Sequence, residues 1–134
     1  MEISYGLNDL AEIAEAIITN TKSKTILFYA AMGTGKTTLI KEISRQLGCN
    51  ISSSPTFALV NEYETTNDEI LYHFDFYRIE NEIEAYDIGI EEYLDNNSWA
   101  FIEWPEHVEN ILPKDAQVVT ITTNEDNSRT LTMN

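Results

Sequence analysis

The chain has 134 residues, the length of about one domain, and its 43% of hydrophobic and 23% of charged residues are typical of a globular protein. Eight Lys and Arg against 23 Asp and Glu give a net charge of −15, which disfavours direct tight binding of nucleic acid and suits either a solvated acidic surface or a docking face for a basic partner. Because the chain has no membrane-length apolar run, no signal-peptide pattern and only one cysteine, we expect one soluble, cytoplasmic domain over residues 1–134 with no membrane contact.

The first half of the sequence alternates between helical and strand-like patterns. Apolar residues at helical spacing predict an amphipathic helix over residues 8–20, with Asp9 and Glu12 as a capping pair at its start. The apolar run at 25–29, TILFY, predicts a buried strand. After a glycine-containing turn, a second helix is predicted over 36–47, and Gly48 is expected to follow its C-cap.

The second half contains five more predicted strands. Two of them are joined by a turn at 65–68, and two form a hairpin at the end; the predicted elements are strands at 57–63 and 70–76, short helices at 80–86 and 90–94, a buried strand at 99–102, and strands at 118–122 and 130–133. Helices that alternate with buried strands predict an α/β fold with three layers around a largely parallel sheet.

The stretch AAMGTGKT at residues 30–37 lies between a predicted strand and a predicted helix, which is the context of a phosphate-binding P-loop. Glycines allow the backbone N–H groups of Gly33, Thr34 and Gly35 to face a phosphate, and the helix N-terminus adds further donors. Lys36 would contact the β and γ phosphates, while the Thr37 hydroxyl would coordinate Mg²⁺. The general motif begins with Gly, so Ala30 is tolerable there if its backbone angles are ordinary.

A P-loop enzyme also needs a carboxylate at the end of a neighbouring strand. Asp75 and Glu103 each follow a predicted buried strand, and strand ends of a parallel sheet converge at the ligand crevice. One of these carboxylates would serve the metal and the other would orient the attacking water. Thr56 is a candidate switch-loop contact to the γ-phosphate or Mg²⁺, or else a strand-capping hydroxyl, and Trp104 either stacks near the site or belongs to the core.

The two histidines show no spacing typical of metal ligands. His73 and His107 are not suitably spaced with respect to each other or to Cys49, so the sequence predicts no metal ligation by histidine. Residues 4–8, before the first helix, are candidates for part of a base pocket.

Five blocks in order resemble the TsaE family, the small bacterial P-loop ATPases of tRNA threonylcarbamoyladenosine synthesis: GTGKTT at 33–38, SPTF at 54–57, HFDFYR at 73–78, DIG at 87–89 and IEWPE at 102–106. The resemblance implies a P-loop NTPase fold that binds ATP and Mg²⁺. It assigns phosphate binding to Gly33, Gly35, Lys36, Thr37 and Thr38, magnesium to Thr37 and Glu103, catalysis or switching to Asp75 and Thr56, and a place beside the nucleotide to Trp104.

The resemblance also implies a partner. Family members associate with the TsaB–TsaD pair, in which TsaD transfers a threonylcarbamoyl group to adenosine 37 of tRNAs that read ANN codons. ATP hydrolysis by TsaE supports repeated turnover of that pair. The family usually has Gly and an acidic residue where this chain has Ala30 and Ala31.

Two other functions use the same parts. A small-molecule kinase of the P-loop class would transfer the γ-phosphoryl group to a metabolite, although the chain has only three arginines and no evident lid insertion. A nucleotide-gated interaction protein would change its partner binding between ATP and ADP with negligible hydrolysis.

Overall fold

The computed structural model describes residues 1–49, 59–95 and 97–134. The elements in chain order are strand β1 (Glu2–Tyr5), a 3₁₀ turn (Leu7–Asp9), helix α1 (Leu10–Asn20), β2 (Thr25–Ala30), α2 (Lys36–Gln46), β3 (Val60–Glu64), β4 (Ile70–Asp75), α3 (Ile83–Asp87), α4 (Ile90–Leu94), β5 (Ala100–Glu103), 3₁₀ turns at Pro105–His107 and Glu109–Ile111, β6 (Gln117–Thr123) and β7 (Arg129–Met133). None of the helices in these ranges is long and apolar enough to cross a membrane.

All seven strands form one sheet in the order β1-β7-β6-β2-β5-β4-β3. The four central strands β6, β2, β5 and β4 are mutually parallel, whereas β3, β7 and β1 are added by antiparallel pairing. The predicted α/β fold with a largely parallel central sheet is therefore confirmed, and β2 lies at the middle of the sheet with β5 and β6 on its two sides.

Both faces of the sheet are covered, which explains the continuous apolar run of β2. Ile26 and Phe28 point into a core that is closed by α1 and α2, while Leu27 points into a second core beneath α3 and α4. Phe28 and Phe101 meet edge to face with ring centroids 5.9 Å apart. Each such side chain that is withdrawn from water stabilises the fold by about 1.5–3 kcal/mol.

Two local features differ from the sequence-based expectations. Strand β1 was not predicted, and it pairs with β7 from the other end of the chain, for example Ile3 with Leu131. The capping pair of Asp9 and Glu12 was wrong, because the Asp9 carboxylate accepts a hydrogen bond from the Gly6 N–H at 2.9 Å and makes no cap on α1. The helix accordingly begins at Leu10 after a 3₁₀ turn.

Gly48 follows the C-cap of α2 as predicted, with φ at +96°. Its carbonyl accepts a hydrogen bond from the N–H of Thr66 in the β3–β4 turn at 3.1 Å. A Cβ added to Gly48 would lie 2.7 Å from the Thr66 hydroxyl oxygen and 3.3 Å from its backbone nitrogen. Both the backbone conformation and the close approach of this turn therefore require glycine.

We expect Gly48→Ala to lower the free energy of unfolding by about 2 kcal/mol or more, since left-handed strain and a steric clash add together. Gly6→Ala is the control, because Gly6 has φ at −115° and its nearest atom to a new Cβ is 3.8 Å away. Urea denaturation of both variants measures the difference. Equal stability of the two variants would contradict this account of the turn.

Candidate nucleotide-binding site

The loop between β2 and α2 takes its shape from two glycines in the left-handed region. Gly33 has φ at +84° and Gly35, the N-cap of α2, has φ at +87°. Nothing lies within 4 Å of a Cβ built on either residue, so the backbone conformation rather than lack of space requires glycine there. Ala30 ends β2 as a buried residue without positive φ, so its backbone meets the condition under which a methyl group is tolerable at the first motif position.

Lys36 opens α2 and folds back over the loop. Its side chain is buried, its Nζ donates a hydrogen bond to the Ala30 carbonyl at 3.0 Å, and the same atom lies 3.6 Å from the centroid of the Trp104 ring. Burial lowers the pKa of Lys36, an effect that the carboxylates of Glu103, Glu106 and Asp75 oppose. The ammonium thus has one carbonyl and one aromatic face as partners, and it lies beside the phosphate-binding loop.

Glu103 is a buried carboxylate, 2% exposed, at the end of β5. Its Oε1 accepts a hydrogen bond from the Thr37 hydroxyl at 2.7 Å, and its Oε2 lies 2.6 Å from Nε2 of His73. Burial alone raises the pKa of Glu103, but the hydrogen bonds from His73 and from the Thr37 hydroxyl, together with the Lys36 ammonium, hold the pKa below its ordinary value. The group is therefore a carboxylate at neutral pH.

Asp75 is brought to the same edge of the sheet by the register of two parallel strands. It ends β4 directly opposite Glu103 on β5, and neighbouring strands lie about 4.8 Å apart. Its Oδ1 accepts a hydrogen bond from the Tyr77 N–H at 3.1 Å. The structure thus brings together the two strand-end carboxylates that the sequence singled out.

Trp104 follows Glu103 in a left-handed conformation, with φ at +58°. The turn directs its ring toward Lys36, and the ring packs against Tyr77 and His107 with centroids 5.1 Å and 5.7 Å apart. Trp104 therefore lies beside the phosphate-binding loop rather than in the middle of a core.

These groups line one open cleft with about 310 Å³ of space, formed by Met32, Gly33, Gly35, Lys36, Thr37, Asp75, Tyr77, Glu103 and Trp104. The donor set fits a nucleotide phosphate, since it combines backbone N–H groups, an ammonium and a helix N-terminus. Among the described residues no group of three His, Cys, Asp or Glu side chains forms a ready metal site. Mg²⁺ is usually held by one or two carboxylates together with substrate phosphates, and two carboxylates, Asp75 and Glu103, line this cleft.

A second, smaller cleft lies along the other flank of the loop. Its lining includes residues from the segment before α1 and from β7, namely Tyr5, Gly6, Leu7, Leu10, Thr34, Gly35, Thr38, Asn127 and Arg129. Arg129 Nε donates a hydrogen bond to the Thr34 carbonyl at 2.9 Å, and the Thr34 hydroxyl donates to the Ala31 carbonyl at 2.8 Å. The arginine therefore ties β7 to the phosphate-binding loop.

The sequence analysis missed two residues in and around the site, His73 and Arg129. His73 was considered only as a metal ligand, although a polar residue at a core-facing position of an apolar strand is a signal of a buried partner. Arg129 gave no local signal, because its contact spans 95 residues of sequence. Thr56 lies outside the described residues.

Comparison with known proteins identifies several similar chains. The family profile "Threonylcarbamoyl adenosine biosynthesis protein TsaE" matches residues 5–131. The tRNA threonylcarbamoyladenosine biosynthesis protein TsaE of Bacillus subtilis is 38% identical over 104 residues, which are 75% of this chain and 63% of that protein. The protein of the same name from Haemophilus influenzae is 35% identical over 106 residues, 77% of this chain and 66% of the relative. The aligned stretch thus spans slightly less than two thirds of either relative.

A solved structure has the same fold. The crystal structure of Bacillus subtilis YdiB aligns with 99% of this chain and 84% of its own, with a TM-score of 0.76 and 23% sequence identity.

We expect Arg129→Gln to lower the free energy of unfolding by about 1 kcal/mol, because it removes a charge-assisted hydrogen bond to the Thr34 carbonyl. Arg45→Gln changes the net charge equally, but Arg45 is exposed and forms its ion pair with Glu42 three residues away, so its loss should cost less than the loss of Arg129. Chemical denaturation of the two variants tests the difference. A cost for Arg129→Gln no larger than that for Arg45→Gln would mean that the contact does not stabilise the loop.

Proposed function

The chain belongs to the TsaE family of threonylcarbamoyl adenosine biosynthesis proteins, and from this premise we propose that it is a Mg²⁺-dependent ATPase of the complex that makes N6-threonylcarbamoyladenosine at position 37 of tRNAs reading ANN codons. In this proposal it supports repeated turnover of a TsaB–TsaD pair and does not carry out the transfer itself. The observation that carries the proposal is the convergence of Lys36, Thr37 and Glu103 at the phosphate-binding loop.

The phosphates of ATP would lie at the N-terminus of α2, where the backbone N–H groups of 33–38 and the positive end of the helix dipole stabilise negative charge. Lys36 would exchange its contact with the Ala30 carbonyl for the β and γ phosphates. The base would enter the smaller cleft beside Tyr5, Leu10 and Arg129.

Thr37 and Glu103 would hold the magnesium ion, since their oxygens already meet at 2.7 Å. Bound Mg²⁺ supplies charge neutralisation on the β and γ phosphate oxygens. Asp75, which lines the same cleft and is less buried than Glu103, would orient the attacking water. Thr56 would assist catalysis or switching, as the family resemblance implies, and Trp104 would cover the phosphates beside Lys36.

The charge of the chain supports action through a protein partner. A net charge of −15 repels a phosphate backbone, so the tRNA would be held by the partner pair and not by this chain.

A nucleotide-gated interaction protein is the second candidate, and the Thr37–Glu103 hydrogen bond favours it. That bond must break when the Thr37 hydroxyl oxygen turns to a metal ion. The site therefore has two arrangements, one with the hydrogen bond and one with the metal. No observation favours the small-molecule kinase.

We expect Lys36→Ala to weaken ADP binding by about tenfold to a hundredfold, because charge-assisted contacts to phosphate are lost. Glu103→Gln should retain most of its ADP affinity in the absence of Mg²⁺ while losing hydrolysis, since its contribution is to the metal and not to the loop. Lys41→Ala, on the outer part of the same helix, is the matched control and should bind as wild type does. Calorimetric titration and phosphate release measure both properties. Equal loss of ADP binding in the Glu103 and Lys36 variants would contradict this division of roles.

The proposal as a whole is tested by multi-turnover threonylcarbamoylation of tRNA with the other proteins of the pathway. We expect the wild-type protein to raise product beyond one equivalent per complex and Glu103→Ala to fail to do so. If both support turnover equally, nucleotide-gated assembly replaces hydrolysis as the function. If neither has any effect, the assignment of partners is wrong.

A further inference from the structure

A histidine lies behind the proposed magnesium site without lining the cleft. The His73 side chain, on β4, is 2% exposed, as is the Glu103 side chain, and their closest atoms, Nε2 and Oε2, are 2.6 Å apart. His73 is not among the residues that line the nucleotide cleft. Its contact with the lining of the site therefore runs through Glu103.

The chemistry of the pair fixes which ring nitrogen carries a proton. An ionised carboxylate offers only lone pairs, so Nε2 of His73 must be the donor to Glu103. On the other side of the ring, Nδ1 lies 3.4 Å from the hydroxyl of Tyr63 on β3. In a ring that carries its proton on Nε2 alone, Nδ1 is an acceptor to which the Tyr63 hydroxyl can donate.

The result is a continuous hydrogen-bonded chain from the edge strand to the phosphate-binding helix. It runs from Tyr63 on β3 through His73 on β4 and Glu103 on β5 to Thr37 on α2. Glu103 is thus held from both sides, with Oε2 on the histidine and Oε1 on the threonine.

When a metal binds, one of the two hydrogen bonds of Glu103 must break and the other can persist. Thr37 and Glu103 both line the cleft, and the hydrogen bond between the Thr37 hydroxyl and Oε1 must yield when these two oxygens become ligands. The contact of Oε2 is with His73, which is buried and does not line the cleft, so this contact can persist. A buried carboxylate that lost this partner would be free to turn and would have an unsatisfied oxygen away from water.

We propose that His73 is a positioning residue that holds the Glu103 carboxylate with Oε1 directed at the magnesium site, and that Tyr63 holds His73 in the tautomer this requires. The inference rests on the nucleotide site proposed above. According to this inference, metal binding depends on the N–H donor at Nε2 of His73 and not merely on the bulk of the ring.

The test compares two replacements of His73 in the full chain. His73→Leu fills the space without a donor, whereas His73→Gln places an amide N–H close to the former position of Nε2. Ser44→Ala is the control, because Ser44 is also fully buried and donates a hydrogen bond on α2 to Ile40, but lies seven residues beyond Thr37 on the helix, or about 10 Å along its axis.

ADP affinity is measured by calorimetry with excess Mg²⁺ and with excess chelator, and the ratio of the two affinities gives the gain from magnesium. We expect His73→Leu to reduce this gain about tenfold or more while its affinity in chelator is unchanged, as is typical when the partner of a metal-binding side chain is lost. His73→Gln should restore most of the gain, and Ser44→Ala should keep all of it.

Several results would overturn the inference. The full gain in His73→Leu would mean that Glu103 needs no positioning, and a loss as large in His73→Gln as in His73→Leu would mean that the donor is irrelevant. If wild type binds no ADP under either condition, the proposed function fails together with the inference. A normal wild-type gain with no effect of His73→Leu removes the inference alone.

A second measurement needs neither a variant nor a nucleotide. Nitrogen-15 NMR of the wild-type histidine rings reports which nitrogen is protonated, and we expect a proton on Nε2 of His73. A neutral ring with its proton on Nδ1 alone could not donate to Glu103, and that result would overturn the proposal even if the leucine variant failed to fold.

Discussion

A negative charge buried at the end of a central strand makes the strongest demand on the surrounding structure. A carboxylate withdrawn from water is tolerated only if hydrogen bonds and positive charge replace the lost solvent. Glu103 meets this requirement with partners from two other elements, His73 on β4 and Thr37 on α2, with the Lys36 ammonium nearby. The parallel register of β4, β2 and β5 makes the arrangement possible, because it brings all three strand ends to one edge of the sheet.

The phosphate-binding loop depends on that edge and on the antiparallel strands beyond it. Inside the loop, Lys36 contacts the carbonyl of Ala30, so the cation is held where a phosphate would meet it. From outside, Arg129 on β7 contacts the carbonyl of Thr34. The strands added to the central sheet therefore do more than cover an edge, since one of them supplies a support for the loop.

The sequence predicted the parts whose signals are local. A strand, a glycine-containing loop and a helix follow one another within residues 25–47, so their order and the roles of Gly33 and Gly35 could be inferred from neighbouring residues alone. The convergence of Asp75 and Glu103 was also predictable, because both follow apolar strands and parallel strands end at one edge.

The features that were missed depend on partners distant in sequence. Strand β1 has only four residues, and its partner β7 begins at Arg129. His73 gives no pattern by itself, because its meaning comes from Glu103 on another strand. Asp9 was assigned to the wrong backbone group since both Gly6 and α1 lie within its reach, and only the 3₁₀ turn decides between them.

The central place of β2 has a consequence for protein synthesis. Its first residues pair with Ala100 and Gln117, which leave the ribosome much later, so the loop that follows β2 has no sheet to support it until most of the chain has been made.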